Sequence, residues 1–324
     1  MSTPQQSQAV PPVPPGAQQA AAPQNTPQTA PQAFSGPPPG GHGYASPIPV
    51  RRTHLGHAVA SEWTKIRSVR STVWTLAVMF VLVVGVGLLM ALALGSQDGL
   101  GMPVLAGGFF GLMLGQLCVI TLGVLVITSE YSTGMIRTTL TACPRRGRVL
   151  VAKALVFFLL SFTVTLVACA LTAFLQAAMI EGKPVPEYID PQMLNEQTTA
   201  TGQAVASAGE WLGATVGAAL YVALLGLLSL AVGTLLRSTP GAITTMLGLV
   251  LLPFIVSLFL FTESVREFGE KLREYSVLNG LSSLFRIPFE GGSADTGWPL
   301  LWLLAGVTLA ALIGAYARIS ARDV

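Results

Sequence analysis

Ser129–Lys153 reads SEYSTGMIRTTLTACPRRGRVLVAK and lies between two long apolar runs. It carries five bases, Arg137, Arg145, Arg146, Arg148 and Lys153, and one acid, Glu130. Two chemistries are open to such a stretch. Its arginines suit lipid headgroups or the acidic groups of a partner. Its apolar residues Met135, Ile136 and Leu140 fall at helical spacing in MIRTTLTA, enough for about two turns of contact helix. Glu130 and Tyr131 stand where an apolar run ends, Gly134 allows a turn, and Pro144 stops the helix. A loop that only set topology would not require apolar residues at that spacing. Docking is therefore the preferred reading for Met135–Leu140. Arg145, Arg146, Arg148 and Lys153 mostly account for the loop staying inside.

Other reactive groups are scarce. His42, His54 and His57 all precede the first apolar run, so a membrane-depth Ser–His dyad or metalloprotease has no histidine to use. No Asp lies within an apolar run, and no G-x-x-x-x-G-K-[ST] occurs. Ion-coupled transporters usually carry ionisable groups near the midplane, and the runs have none there. The chain reads as neither an enzyme nor a nucleotide binder, with no cofactor or metal of its own. Energy for any transport would come from another subunit.

The elements that position these residues follow from composition. The chain is 52% hydrophobic and 10% charged, with a mean hydropathy of +0.63. Soluble domains carry about 25% charged residues. Residues 1–50 hold no Lys, Arg, Asp or Glu, and Pro, Gln and Ala dominate, so a disordered tail is expected there. PPVPP within it could also dock as polyproline II. No secretory signal pattern is present. The second domain, 51–324, contains six apolar segments, about 73–94, 103–127, 154–180, 211–236, 242–261 and 298–317. Each approaches the ~20 residues a helix needs to cross ~30 Å of hydrocarbon. The expected fold is an all-α integral membrane protein with six transmembrane helices. The three cysteines, Cys118, Cys143 and Cys169, read as reduced and structural.

With the N-terminus inside, 13 of the 18 Lys and Arg residues fall on inside segments, and 12 of the 15 acids fall outside. The positive-inside rule selects that orientation, with both termini cytoplasmic in a plasma membrane. Before the first span, Leu55, Val59, Trp63, Ile66, Val69 and Val73 form one helical stripe flanked by Lys65, Arg67 and Arg70. That is an amphipathic interfacial helix, anchored by Trp63 and Trp74. In the third outside loop, Val265, Phe268, Leu272 and Tyr275 mark another amphipathic helix, which Asn279–Gly280 is expected to break. LSSLFRIPF then either dips into the outer leaflet or packs on the bundle as a surface loop.

Gly107, Gly111 and Gly115 recur every four residues on the second span, as do Gly213 and Gly217 on the fourth. Such faces serve close packing within the chain or a subunit interface. Gln116, Thr121 and Gln176 are either interhelical hydrogen-bonding residues or pathway residues, and Pro253 offers a kink in the fifth span.

The six-span pattern, the SEWTKIRSVRST helix and the stretch EYSTGMIRTTLTACPRRGRVLVAK together resemble the permeases of the type 2 class of ABC exporters. In that class an EY..G.IR.TL...P.R......K pattern recurs between the second and third helices. The topological resemblance runs from about residue 54 to the end. It implies a second permease copy or related chain, and separate ATP-binding subunits that hold ATP and Mg. It also implies a coupling helix docking through Glu130, Tyr131, Gly134, Met135, Ile136, Arg137 and Leu140. The second and fifth helices would line the pathway. Membrane lipids are the remaining expected partner, and nucleic acid is not expected. The competing reading is a non-transport sensor or assembly factor coupled to an ATPase.

Overall fold

A computed structural model describes residues 54–135, 146–186, 202–257, 259–260, 263–287 and 297–321. The chain divides into two units, Met1–Arg51 and Arg52–Val324, and every described residue belongs to the second. The expected tail over 1–50 lies outside the described residues. So do Ile136, Arg137, Leu140, Cys143 and Pro144.

Six helices are long and apolar enough to cross a membrane. They are α2 (Arg70–Gly95), α3 (Gly107–Ser132), α4 (Arg146–Ile180), α5 (Ala208–Leu236), α6 (Thr239–Ser257) and α9 (Trp298–Ala321). Three shorter ones complete the set: α1 (Leu55–Ser68), α7 (Glu263–Glu274) and α8 (Val277–Leu284). Among the described residues the only β pairing is an isolated bridge, Pro184–Gln203. The chain is an all-α, multi-pass membrane protein. Helices are the form in which a single span satisfies all its backbone groups within itself.

α5 is the most buried span and α3 the next, and they form the centre. α3 packs on α2 and α5, α4 packs on α2 and α5, and α9 packs on α5. Glycine makes the central contacts possible. A Cβ on Gly111 would stand 2.6 Å from the Val83 carbonyl oxygen, so α2 and α3 meet backbone to backbone. Gly115 faces Val83 and Met79, and Gly107 faces Met90 and Gln176. The Gly107–Gly115 stripe thus packs within the chain. Gly213 and Gly217 meet Leu284 of α8, where α5 opens into a π turn, Gly213–Gly217. Along α2, α4, α6 and α9 an apolar outer surface remains, including Val81, Leu159, Leu252 and Trp302.

Several boundaries differ from the sequence expectation. α4 starts at Arg146, eight residues before position 154. At 1.5 Å per residue its 35 residues reach about 52 Å, well beyond ~30 Å of hydrocarbon. Lys153 is therefore a helix residue two turns in rather than a loop residue. α3 starts at Gly107, and Pro103 instead heads the turn before it, where the Ala106 N–H donates to the Pro103 carbonyl at 3.1 Å. α6 covers Thr239–Ser257, beginning earlier and ending earlier than expected, with Pro253 inside it.

Asn279–Gly280 does not break the outer amphipathic helix. The break is at Tyr275–Ser276, and Asn279 and Gly280 lie within α8. Ser276 caps α8 by accepting from the Asn279 N–H at 3.1 Å, while Asn279 Nδ2 donates to the Glu274 carbonyl at 2.8 Å. Gly280 is needed for contact with the Tyr221 ring, whose hydroxyl donates to the Val277 carbonyl at 3.0 Å. Leu278, Leu281, Leu284 and Phe285 are buried, so α8 packs into the bundle.

The α2–α3 contact gives a direct test. Gly111→Ala should lower the thermal midpoint of the purified protein, at a cost of about 1–3 kcal/mol for overpacking. Gly306→Ala, where a Cβ meets nothing within 4 Å, should cause no loss. Equal midpoints for the two variants would contradict the close approach.

Candidate functional site

Four charged side chains from three helices meet at the end of the bundle that carries α1. Glu62 and Lys65 come from α1, Glu130 from the last turn of α3, and Lys153 from the second turn of α4. Lys153 Nζ donates to Glu62 Oε2 at 2.6 Å and to Glu130 Oε1 at 2.9 Å. Lys65 Nζ donates to Glu62 Oε1 and to Glu130 Oε1, both at 3.1 Å. Lys153, Glu62 and Glu130 are only 2%, 3% and 6% exposed. Two acids and two bases leave the cluster formally neutral, the condition under which buried charge is tolerable.

Each member needs its helix. Glu62 and Ile66 are one helical turn apart and form the buried face of α1. That face packs on α4. Of the predicted stripe, Ile66 is buried, whereas Leu55, Trp63, Val69 and Val73 are exposed. Arg67 and Arg70 are exposed as well. α1 thus turns Glu62 and Ile66 inward and leaves Trp63, 48% exposed, on the flank of that face. Val69 separates α1 from α2 as a single extended residue, with φ −83° and ψ 108°. Burial pulls the Lys65 ammonium down, but the Glu62 and Glu130 carboxylates outweigh it and hold its pKa above the ordinary 10.5.

The end of α3 carries further contacts. Arg237 ends α5 in the left-handed region, with φ 54°, and its guanidinium lies 5.3 Å from the centre of the Tyr131 ring. Thr239 Oγ1 donates to Thr128 Oγ1 at 2.8 Å. The turn between α5 and α6 is thereby fastened to the same two turns of α3 that hold Glu130. Gly134 follows with φ +71°, a conformation that favours glycine. Met135 is exposed next to it. A cleft of about 340 Å³ opens beside the cluster, lined on one side by Ser68, Val69, Ser71 and Thr72 and on the other by Leu122, Leu125, Val126 and Ser129.

The residues proposed for a pathway do not gather at this cluster. Gln116 is buried and its Nε2 donates to the Met113 carbonyl at 3.3 Å. Thr121 donates to its own helix at Leu117, 2.8 Å away. Pro253 is half-buried in α6. Gln176 lies towards the opposite end. In the amide orientation that satisfies both its groups, it donates to the Leu105 carbonyl at 3.0 Å and accepts from the Gly108 N–H at 2.9 Å.

Three members of the polar framework escaped the sequence reading. Lys153 reads from sequence as a topology residue, and Glu62 reads only as an acid. The Glu62–Lys65 spacing of three residues was a visible signal. Four apolar residues separating Lys153 from Arg148 were another. Glu210 is the third. It is fully buried in the first turn of α5, where its Oε1 accepts from the Leu105 N–H at 2.8 Å. Ser207 caps that helix by accepting from the Glu210 N–H at 3.2 Å. Ser207-x-x-Glu210 is thus half of a capping box, with the carboxylate diverted across the bundle.

No protein-family model matches the sequence, and no curated protein matches it. Cys118 and Cys169 are free thiols. Among the described residues no group of three or more His, Cys, Asp or Glu could hold a metal ion.

Removing one member of a buried ion cluster strands its partners. Lys153→Met should cost about 3–5 kcal/mol, read as a lower thermal midpoint in detergent. Adding Glu62→Gln should recover part of that loss, because the double variant restores neutrality. A double variant less stable than Lys153→Met alone would contradict the cluster. Lys65 supplies a pH test. Its folded pKa is raised, so its stabilisation is full below pH 10.5 and is lost as pH rises through the raised value. Lys65→Met should therefore lag the parent by a constant margin from neutral pH to about 10 and converge with it only above that.

Proposed function

We propose that this chain is the membrane-spanning subunit of an ATP-driven exporter of the type 2 ABC class, set in a plasma membrane with both termini cytoplasmic. The four-charge cluster carries this reading. Glu130 and Lys153 flank the loop between α3 and α4, and both are bonded within one cluster that also contains α1. A separate ATP-binding subunit, holding ATP and Mg, docks on the loop beyond Gly134. When ATP binding draws two such subunits together, the pull on the loop reaches α3, α4 and α1 as one body. The Tyr131–Arg237 contact passes it on to the turn between α5 and α6. Motion of these helices against a second permease copy, or a related chain, then alternates access to the two sides.

α3 and α6 are the pathway helices in this reading, with Gln116, Thr121 and Pro253 along them. Among the described residues, charged side chains lie towards the ends of the spans rather than at their middles. That distribution suits an amphipathic or lipid-like cargo better than a small ion.

Asp placed at Met135, Ile136 and Leu140 should reduce the copurifying ATP-binding subunit to about a tenth or less, since apolar contact residues dominate such interfaces. Undiminished association, with the permease still inserted, would remove the docking assignment. ATP-driven accumulation of cargo in reconstituted vesicles separates an exporter from a sensor or assembly factor, which would bind the ATPase and move nothing.

A further inference from the structure

We propose that the cleft between the α1–α2 junction and α3 seats one bilayer phospholipid whose headgroup carries a primary ammonium. This proposal does not rest on the transport reading. It requires only that the chain lies in a membrane.

The cleft is large enough and has two chemically distinct parts. Its volume of about 340 Å³ falls within the range of sites that hold small molecules. Glu130, Lys65, Ser71 and Thr72 line its polar part, and Leu122, Leu125 and Val126 line its apolar part. Leu122 is eight residues from Glu130 on α3, about 12 Å further along the span. α2 begins at Arg70 and α3 ends at Ser132, so the polar part stands at headgroup level and the apolar part at the start of the acyl chains.

The hydrogen bonding selects the headgroup. Both ammoniums that reach Glu130 donate to Oε1, from Lys65 at 3.1 Å and from Lys153 at 2.9 Å. Glu130 Oε2 is buried and accepts from nothing. A buried carboxylate oxygen without a donor is costly, and a small turn of the Glu130 carboxylate towards the cleft that this residue lines would let an occupant's N–H remove the cost. Lys65 donates to two carboxylate oxygens, and its side chain is 31% exposed. Its third N–H can meet a phosphate. An ethanolamine phospholipid supplies both the ammonium and the phosphate. A choline headgroup has no N–H to give, and a glycerol headgroup brings net negative charge to Glu130.

The test is native mass spectrometry of the full chain in detergent, titrated with ethanolamine, choline and glycerol phospholipids of identical acyl chains. Ethanolamine lipid should bind about tenfold more tightly than choline lipid, the scale of one charge-assisted hydrogen bond. Soluble glycerophosphoethanolamine, which lacks the chains, should not compete. Leu125→Trp fills the apolar part without touching the ion cluster and should reduce ethanolamine lipid to the choline level. Glu130→Gln should abolish the preference. Equal affinity for the two zwitterionic lipids, tightest binding of the glycerol lipid, full competition by the soluble headgroup, or an intact preference in Leu125→Trp would each overturn the proposal.

Discussion

A formally neutral group of four charges, three of them buried, governs one end of this molecule. Moving an isolated ammonium or carboxylate out of water is prohibitive, so each member holds its position only because the others hold theirs. Lys153 is the pivot, with its Nζ 2.6 Å from Glu62 and 2.9 Å from Glu130. Glu62 can reach it only if α1 lies against α4 with one face inward. That requirement sets the rotation of α1 and explains why its buried face contains an acid rather than only apolar residues. Val69 then supplies the single extended residue that lets α1 lie apart from α2.

The bundle is organised around two polar zones with an apolar middle between them. At the α1 end, the charge cluster, the Tyr131–Arg237 contact and the Thr239–Thr128 hydrogen bond tie four helices, α1, α4, α5 and α6, to the last turns of α3. At the other end, Glu210 and Gln176 hold the N–H and carbonyl of Leu105, and Lys183 Nζ caps α2 through the carbonyls of Gly95, at 2.5 Å, and Gln97. A cation at a helix C-terminus also suits the helix dipole. Between the zones, hydrocarbon supplies no hydrophobic force to press helices together. Close packing through Gly111, Gly115 and Gly226 does that work instead. The polar zones fix the register in which those glycine contacts can form.

The six spans were legible because ~20-residue apolar runs have few other uses. α1 and α7 were legible from their helical periodicity, and the turn at Gly134 from residue type. Contacts between residues distant in sequence were not. Nothing local to Lys153 names Glu62, which is 91 residues away. Counting bases by side treats every lysine near a span as topogenic, and this one is instead paired and buried. Glu210 escaped for a similar reason. Its capping-box position accounts for an acid at a helix start, and only the fold shows the carboxylate turned towards Leu105. Asn279–Gly280 misled because a turn dipeptide tolerates a helix when Ser276 caps the helix and Tyr221 needs the space left by Gly280.

By this arrangement α1, the end of α3 and the start of α4 form one mechanical unit held by buried charge. Hydrogen–deuterium exchange on Lys153→Met tests it most directly. Exchange should be faster throughout Leu55–Ser68 and over the last turn of α3, with α9 unchanged. Exchange in α1 identical to that of the parent protein would show that packing alone holds the helix and would contradict the claim.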